Sequence, residues 1–190
     1  MSLNEASDER LIHALRTGRG APFALLFDRY RTGIYNYVLR LVGRQEDAEE
    51  LTQEVFLRML RHCTSYRAEG SFRAWLWGIA TNAARDRLRR RKTEQAHRNA
   101  PPDGAFADPP ASATAGPKAL ALANERARHV RQALLRLSED ERTVVVLRHY
   151  EGLKFAEIAA MLHIPEATAK SRMRYAFEKL ERMLKPLMSA

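Results

Sequence analysis

Gly70–Lys92 reads GSFRAWLWGIATNAARDRLRRRK. Phe72, Trp75, Leu76, Ile79, Ala83 and Leu88 recur at helical spacing, and Ser71 is a natural N-cap. The periodicity predicts a helix that turns Trp75 inward and projects Arg73, Asn82, Arg85, Arg89 and Arg90. From Arg85 to Lys92, six basic residues stand against one acid, Asp86. A cationic helix carrying aromatic rings suits nucleic acid whose bases are unstacked, because guanidinium groups hold phosphates and rings stack on bases. The same letters also describe a core helix with two buried tryptophans and a solvated charged end. The rest of the chain decides between these readings.

Upstream, Ser7–Thr17 carries Leu11, Ile12 and Leu15 on one side and stops at Gly18 and Gly20. Pro22 opens a second helix, striped by Phe23, Phe27, Tyr30, Ile34, Tyr37 and Leu41, which ends at Gly43. A third, about Gln45–Arg61, faces inward with Ala48, Leu51, Val55, Phe56 and Met59. Its other side is acidic: Glu46, Asp47, Glu49, Glu50 and Glu54, with Asp47, Glu50 and Glu54 expected as one exposed stripe.

Downstream, Gln95–Lys118 holds five of the eight prolines and seven alanines, with Phe106 its one large apolar residue. Such a segment buries too little to offset its ordering entropy and is expected to be a flexible tether. This sets three units: 1–94, the tether 95–118, and 119–190. The last opens with a helix near Ala119–Leu137. Ser138 and Glu141 then form a capping box before Val144, Val145, Leu147 and Arg148, and Gly152 breaks that helix. Lys154–Leu162, the turn His163-Ile164-Pro165 and a helix over Glu166–Leu184 make a helix-turn-helix. Ala169, Met173, Ala176 and Leu180 pack, leaving Thr168, Lys170, Ser171, Arg172 and Arg174 outside, where the helix dipole also favours phosphate. A plain helical hairpin is the simpler alternative. No strand-like alternation is sustained, so the fold class is all-α: two small helical domains and a flexible linker.

Composition narrows the function. The 190 residues carry 32 basic and 23 acidic side chains, a net charge of +9 that leans towards a polyanion partner. No run approaches a membrane span, and the polar N-terminus does not read as a secretory signal. The single cysteine, Cys63, forms no internal disulfide and fits a reducing compartment; it reads as a quiet buried thiol before a redox-sensitive one. The six histidines are scattered as surface or core residues. There is no Gly-rich phosphate loop, no Cys/His metal spacing and no nucleophile motif, so neither cofactor nor metal is expected, nor an enzyme. Asp47, Glu50 and Glu54 could bind Mg²⁺ in a nuclease, the one catalytic alternative.

Two segments resemble one family. DAEELTQEVFLRML (Asp47–Leu60) and FRAWLWGIATNAARDRLRRR (Phe72–Arg91) are similar to region 2 of the extracytoplasmic-function sigma factors, small bacterial initiation factors of RNA polymerase. Leu137–Leu184 is similar to their region 4. The resemblance implies that Asp47, Glu50, Gln53 and Glu54 dock on the clamp coiled coil of the polymerase beta-prime subunit, which accounts for an acidic stripe on a basic protein. It implies that the non-template strand of the melted minus-ten element is held by Tyr66, Ser71, Arg73, Asn82, Arg85, Arg89 and Arg90. A base would flip into a pocket at the loop His62–Gly70, its binding offsetting the unstacking. It further implies that Lys170, Ser171 and Arg174 read the duplex minus-thirty-five element while Thr168 and Arg172 hold its backbone. A beta-flap contact, an anti-sigma partner and a cytoplasmic, nucleoid-associated location follow from the same resemblance.

The sequence departs from the family pattern at His163, where relatives carry Gly or a small residue, at Lys154, which replaces a Ser cap, and at Ala167 and Ala169 around Thr168. Glu50 replaces a commoner Asp. The remaining alternative is a helix-turn-helix regulator that works without polymerase.

Overall fold

The computed structural model describes residues 6–16, 20–67, 71–98 and 117–188. Every regular element among them is helical. Helix α1 (Asp8–Leu15) starts where the Ser7 hydroxyl accepts the Arg10 N–H, with Asp8 and Glu9 at the positive end of the helix. Helix α2 (Gly20–Val42) grips it through Arg29 Nη1, 2.9 Å from Asp8 Oδ1, and through the Tyr30 hydroxyl on the same carboxylate. Gly43 ends α2 at φ +78°, and a Cβ there would come within 3.0 Å of Leu135, so glycine is required by both backbone and space.

Helix α3 (Gln45–His62) packs on α2 and α4 with Ala48, Leu51, Val55, Phe56 and Met59 buried, as the periodicity predicts. A 3₁₀ turn, Cys63–Ser65, buries Cys63. Helix α4 (Phe72–Arg98) starts on Ser71, whose Oγ accepts the Ala74 N–H at 3.1 Å. Its buried residues include Phe72, Leu76, Trp77, Ala80, Ala83 and Ala84. The core tryptophan is therefore Trp77, and Trp75 is half-buried. Packing on two sides causes this: α4 is packed by α2 and α3 on one side and by a C-terminal helix on another, so its apolar positions do not form one stripe.

Helix α5 (Pro117–Arg136) leads to Ser138, where the capping box is complete: Glu141 N–H to Ser138 Oγ at 3.3 Å, and Ser138 N–H to Glu141 Oε2 at 3.1 Å. Helix α6 (Glu139–Val145) continues into a π-helical turn, Val146–Tyr150, before Gly152 at φ +68° reverses the chain. At the start of helix α7 (Phe155–Leu162), Glu157 accepts the Lys154 N–H at 2.8 Å, the glutamate half of a capping box whose serine half Lys154 cannot supply. His163 takes the left-handed conformation, φ 53° and ψ 45°, which histidine tolerates better than most side chains. The Pro165 carbonyl then accepts the Thr168 and Ala169 N–H groups in the first turn of α8 (Glu166–Met188). Ala169, Ala176 and Leu180 are buried.

The two halves share one hydrophobic core: buried Leu76, Ala80 and Ala83 belong with Val144, Ile158 and Leu162, while Leu134, Val145, Ala176 and Leu180 form a smaller cluster. Of the expected tether, residues 95–98 continue α4 and 117–118 open α5; residues 99–116 lie outside the described residues.

Candidate nucleic-acid and polymerase interfaces

On α3 the predicted acidic stripe divides. Asp47 is only 9% exposed, because Arg87 Nη1 at 2.7 Å and Arg91 Nη1 at 3.5 Å reach it from α4. Arg87 also bonds Glu50 at 2.6 Å, and that guanidinium holds the Glu50 carboxyl below its usual range. Arg58 takes Glu54 at 2.6 Å, one turn on. With each carboxylate of the trio engaged by a guanidinium, these acids do not converge on a cation, and the nuclease reading loses its donor set. The exposed ridge is instead Glu46, Glu50, Gln53 and Leu57. Leu57 is 50% exposed, and its signal was in the sequence: it stands four positions after Gln53, off the apolar stripe.

On α4, the residues expected to hold an opened strand scatter in environment. Tyr66 is buried, its ring packed on Phe72 and Trp75 with centroids 6.0 and 5.1 Å away, and its carbonyl accepts from Arg16. Burial pushes its phenol up. Ser71, Asn82, Arg89 and Arg90 are exposed, while Arg73 and Arg85 are half-buried. Arg73 lies over the Trp77 ring at 5.0 Å and 3.7 Å from Glu151. Arg85 reaches Asp140 at 2.9 Å and Glu139 at 3.7 Å, and Arg89 reaches Asp86 at 3.1 Å. A cavity of about 570 Å³ is lined by Trp75, Gly78 and Asn82 together with Ala160, Met161 and His163.

On α8, Lys170, Ser171 and Arg174 are exposed, as the helix-turn-helix reading requires. Lys170 pairs with Glu166 at 2.7 Å, and the Ser171 hydroxyl donates to the Ala167 carbonyl at 2.8 Å. Arg174 pairs with Glu178 at 2.9 Å and lies over Tyr175 at 4.3 Å. Thr168 and Arg172 are half-buried, and Arg172 Nη2 is 2.6 Å from Asp140. Beside α8, an apolar groove of about 1060 Å³ is lined by Val130, Leu134, Val145, Met173 and Phe177.

Both halves of the chain match known families. The Sigma-70 region 2 family matches residues 26–94, and the Sigma-70, region 4 family matches residues 127–180. An ECF RNA polymerase sigma-E factor of Haemophilus influenzae is 31% identical over 97% of this chain and 98% of its own length. ECF RNA polymerase sigma factor SigM of Mycobacterium tuberculosis is 35% identical over 95% and 86%. The chain belongs to the extracytoplasmic-function sigma factors.

As a sigma factor it is a transcription initiation factor with the all-α fold of its class. The sigma factor RpoE of Bartonella quintana, solved in complex with the anti-sigma factor NepR, superposes with a TM-score of 0.73 at 22% identity, over 86% of this chain and 96% of that one. CnrH, solved with the cytosolic domain of CnrY, gives 0.70 at 22% identity, over 95% and 99%. At this identity the likeness is one of fold. No helix among the described residues of this sigma factor is long and apolar enough to cross a membrane.

Glu151 gives the sigma factor a pH dependence of known sign. Burial pushes its carboxyl up, while Arg40, Arg73 and the Trp77 indole N–H, which faces it outside hydrogen-bond geometry, pull it down. A carboxylate raised on folding destabilises the fold while ionised, and that cost is lost as the pH falls through the raised value. The stability gained by Glu151→Gln over the native protein should therefore be largest at neutral pH and shrink as the pH is lowered into the acid range. Urea unfolding of both proteins across that range checks this; a constant difference would remove Glu151 as the source.

Proposed function

We propose that this sigma factor binds core RNA polymerase through the exposed ridge of α3, directs it to a promoter through α8 and captures the melted minus-ten strand on α4, with no catalysis of its own. Residues 1–94 and 119–190 act as separable units joined by 95–118. Glu50, Gln53, Glu54 and Leu57 meet the beta-prime clamp, while Asp47 supports them by fixing Arg87 and Arg91. The groove beside α8 serves the beta flap. Like RpoE of Bartonella quintana, solved in complex with an anti-sigma factor, the chain takes such a partner. It works in the bacterial cytoplasm, at the nucleoid.

The observation that carries this reading is the segregation of charge. Arg87 and Arg91 of α4 pair with Asp47 and Glu50, but Glu46, Glu49, Glu50 and Gln53 leave α3 an exposed acidic ridge that repels DNA. Exposed Arg89 and Arg90 of α4 and Lys170 and Arg174 of α8 attract it. A regulator working without polymerase has no use for the first surface, and the family match spans both regions. The test is run-off transcription from genomic templates with purified core polymerase. Transcripts should begin only when the sigma factor is added, and their absence on every template defeats the proposal. In the same assay Arg174→Ala should cost about 1–3 kcal/mol on the cognate upstream element and relax preference at one position. A uniform loss across templates would make Arg174 a phosphate contact.

A further inference from the structure

After α3 the chain turns through Cys63–Ser65 and leaves the helix at Tyr66, which is extended at φ −60° and ψ 123°. A helix that stops there has carbonyls with no following turn to receive them. The Ser65 hydroxyl donates to the His62 carbonyl at 2.8 Å. The carbonyls of Cys63 and Tyr66 are taken by one side chain from elsewhere: Arg16 donates Nε to Cys63 at 2.9 Å and Nη2 to Tyr66. A single guanidinium thus spans the turn from end to end, at the negative end of the α3 dipole, where a cation is also favoured. Arg16 is the C-cap of α1, whose Leu11 and Ile12 are buried in the core. Its position is therefore fixed by the core and not by the turn that it holds. It stands 47 and 50 residues from the two carbonyls, and ahead of the matched span 26–94.

What the turn carries gives this clamp its use. Tyr66 and Arg67 line the cavity of about 570 Å³ together with Ser71, Trp75 and Asn82. The Tyr66 ring is held by Phe72 and Trp75, so α4 fixes its side chain while α1 fixes its backbone. We propose that Arg16 is a positioning residue for the unpaired base: by bridging Cys63 and Tyr66 it sets the wall of this cavity so that one base is preferred over the others. This rests on assigning Tyr66 and Asn82 to the opened strand. A base leaving the stack gives up its pairing, so selectivity falls on the shape of the pocket that receives it. A pocket wall carried on a turn is only as precise as its supporting contacts, and about 1 Å of slack is enough to loosen the fit. Arginine suits the task because its planar fork meets two acceptors in fixed geometry, whereas a lysine ammonium is a point charge on a flexible stem.

Holoenzyme assembled from core polymerase and the full-length chain tests this, with Arg16→Lys and Arg16→Gln as variants. On a promoter found by run-off transcription, each position of the opened non-template strand is changed to all four bases in turn. Each altered template then competes with the parent promoter for transcript synthesis. The native protein should prefer one base at an opened position by about tenfold or more. Both variants should reduce that preference to about threefold or less, while keeping the native preference at the upstream element and a single cooperative unfolding transition. Preference unchanged in either variant, or lost in equal measure at the upstream element, overturns the proposal and leaves Arg16 a helix cap. An Arg16→Lys chain that no longer unfolds cooperatively overturns it as well, since Arg16 would then serve folding. Should the native protein itself show no base preference in the opened strand, the strand-capture reading falls first and the positioning role with it.

Discussion

Trp77→Ala should destabilise the protein by about 3–5 kcal/mol, a large share of the stability of a domain this size. The ring is 2% exposed and sits edge-on to Tyr30, with centroids 5.5 Å apart, and 6.4 Å from Tyr37. The indole also lies against Gly33, where a Cβ would stand 3.5 Å away, an ordinary contact distance. Truncation opens a cavity that rigid helices α2 and α4 cannot close, so the lost transfer energy is joined by lost packing. It also removes the platform under Arg73. Trp75→Ala should cost only about 1–2 kcal/mol, because its ring is half solvated and touches chiefly Tyr66 and Phe72. Urea unfolding followed by circular dichroism ranks the two, and the reverse order would mean that the assignment of the core ring is wrong.

Glu50→Lys combined with Leu57→Ser should weaken binding to core polymerase by about a hundredfold or more while leaving the unfolding midpoint nearly unchanged. Both side chains are exposed, so reversing one and shortening the other takes little from the fold. Glu50 does pair with Arg87, but the Glu50 side chain is 65% exposed, so solvent screens the pair and it contributes about 1 kcal/mol. Asp47→Ala behaves differently. It leaves Arg87 and Arg91 without their partly buried partner, so its effect should appear as lost stability, with weaker docking only in proportion. Surface plasmon resonance on immobilised core polymerase, read beside melting curves, separates the two cases. Docking by the double variant at native affinity would take the α3 ridge out of the polymerase contact.

These contrasts mark the reach of periodicity. Position within α3 correctly turned Leu51, Val55 and Met59 inward, because a helix with one packed face repeats its apolar residues with a single phase. The same reasoning misplaced Trp75 on α4, which packs on two sides and so has no single phase. Asp47 escaped it for another reason. Its guanidinium partners stand 40 and 44 residues away, and spacing along one helix carries no information about them. Leu57 was legible in principle, being apolar and out of register, although such a residue signals a partner only once its exposure is known.

By itself the chain determined its helices and their ends, because Ser71, Ser138, Gly43 and His163 act through local backbone geometry and hydrogen bonds a few residues long. It also determined its family, since both matched segments are continuous in sequence. Only the tertiary structure decided which tryptophan is core, that Asp47 lies inside, and that Glu139, Asp140 and Glu151 face the cations of α4. Those outcomes depend on pairing across long separations, where the geometry of packed helices, and not the order of residues, selects the partner.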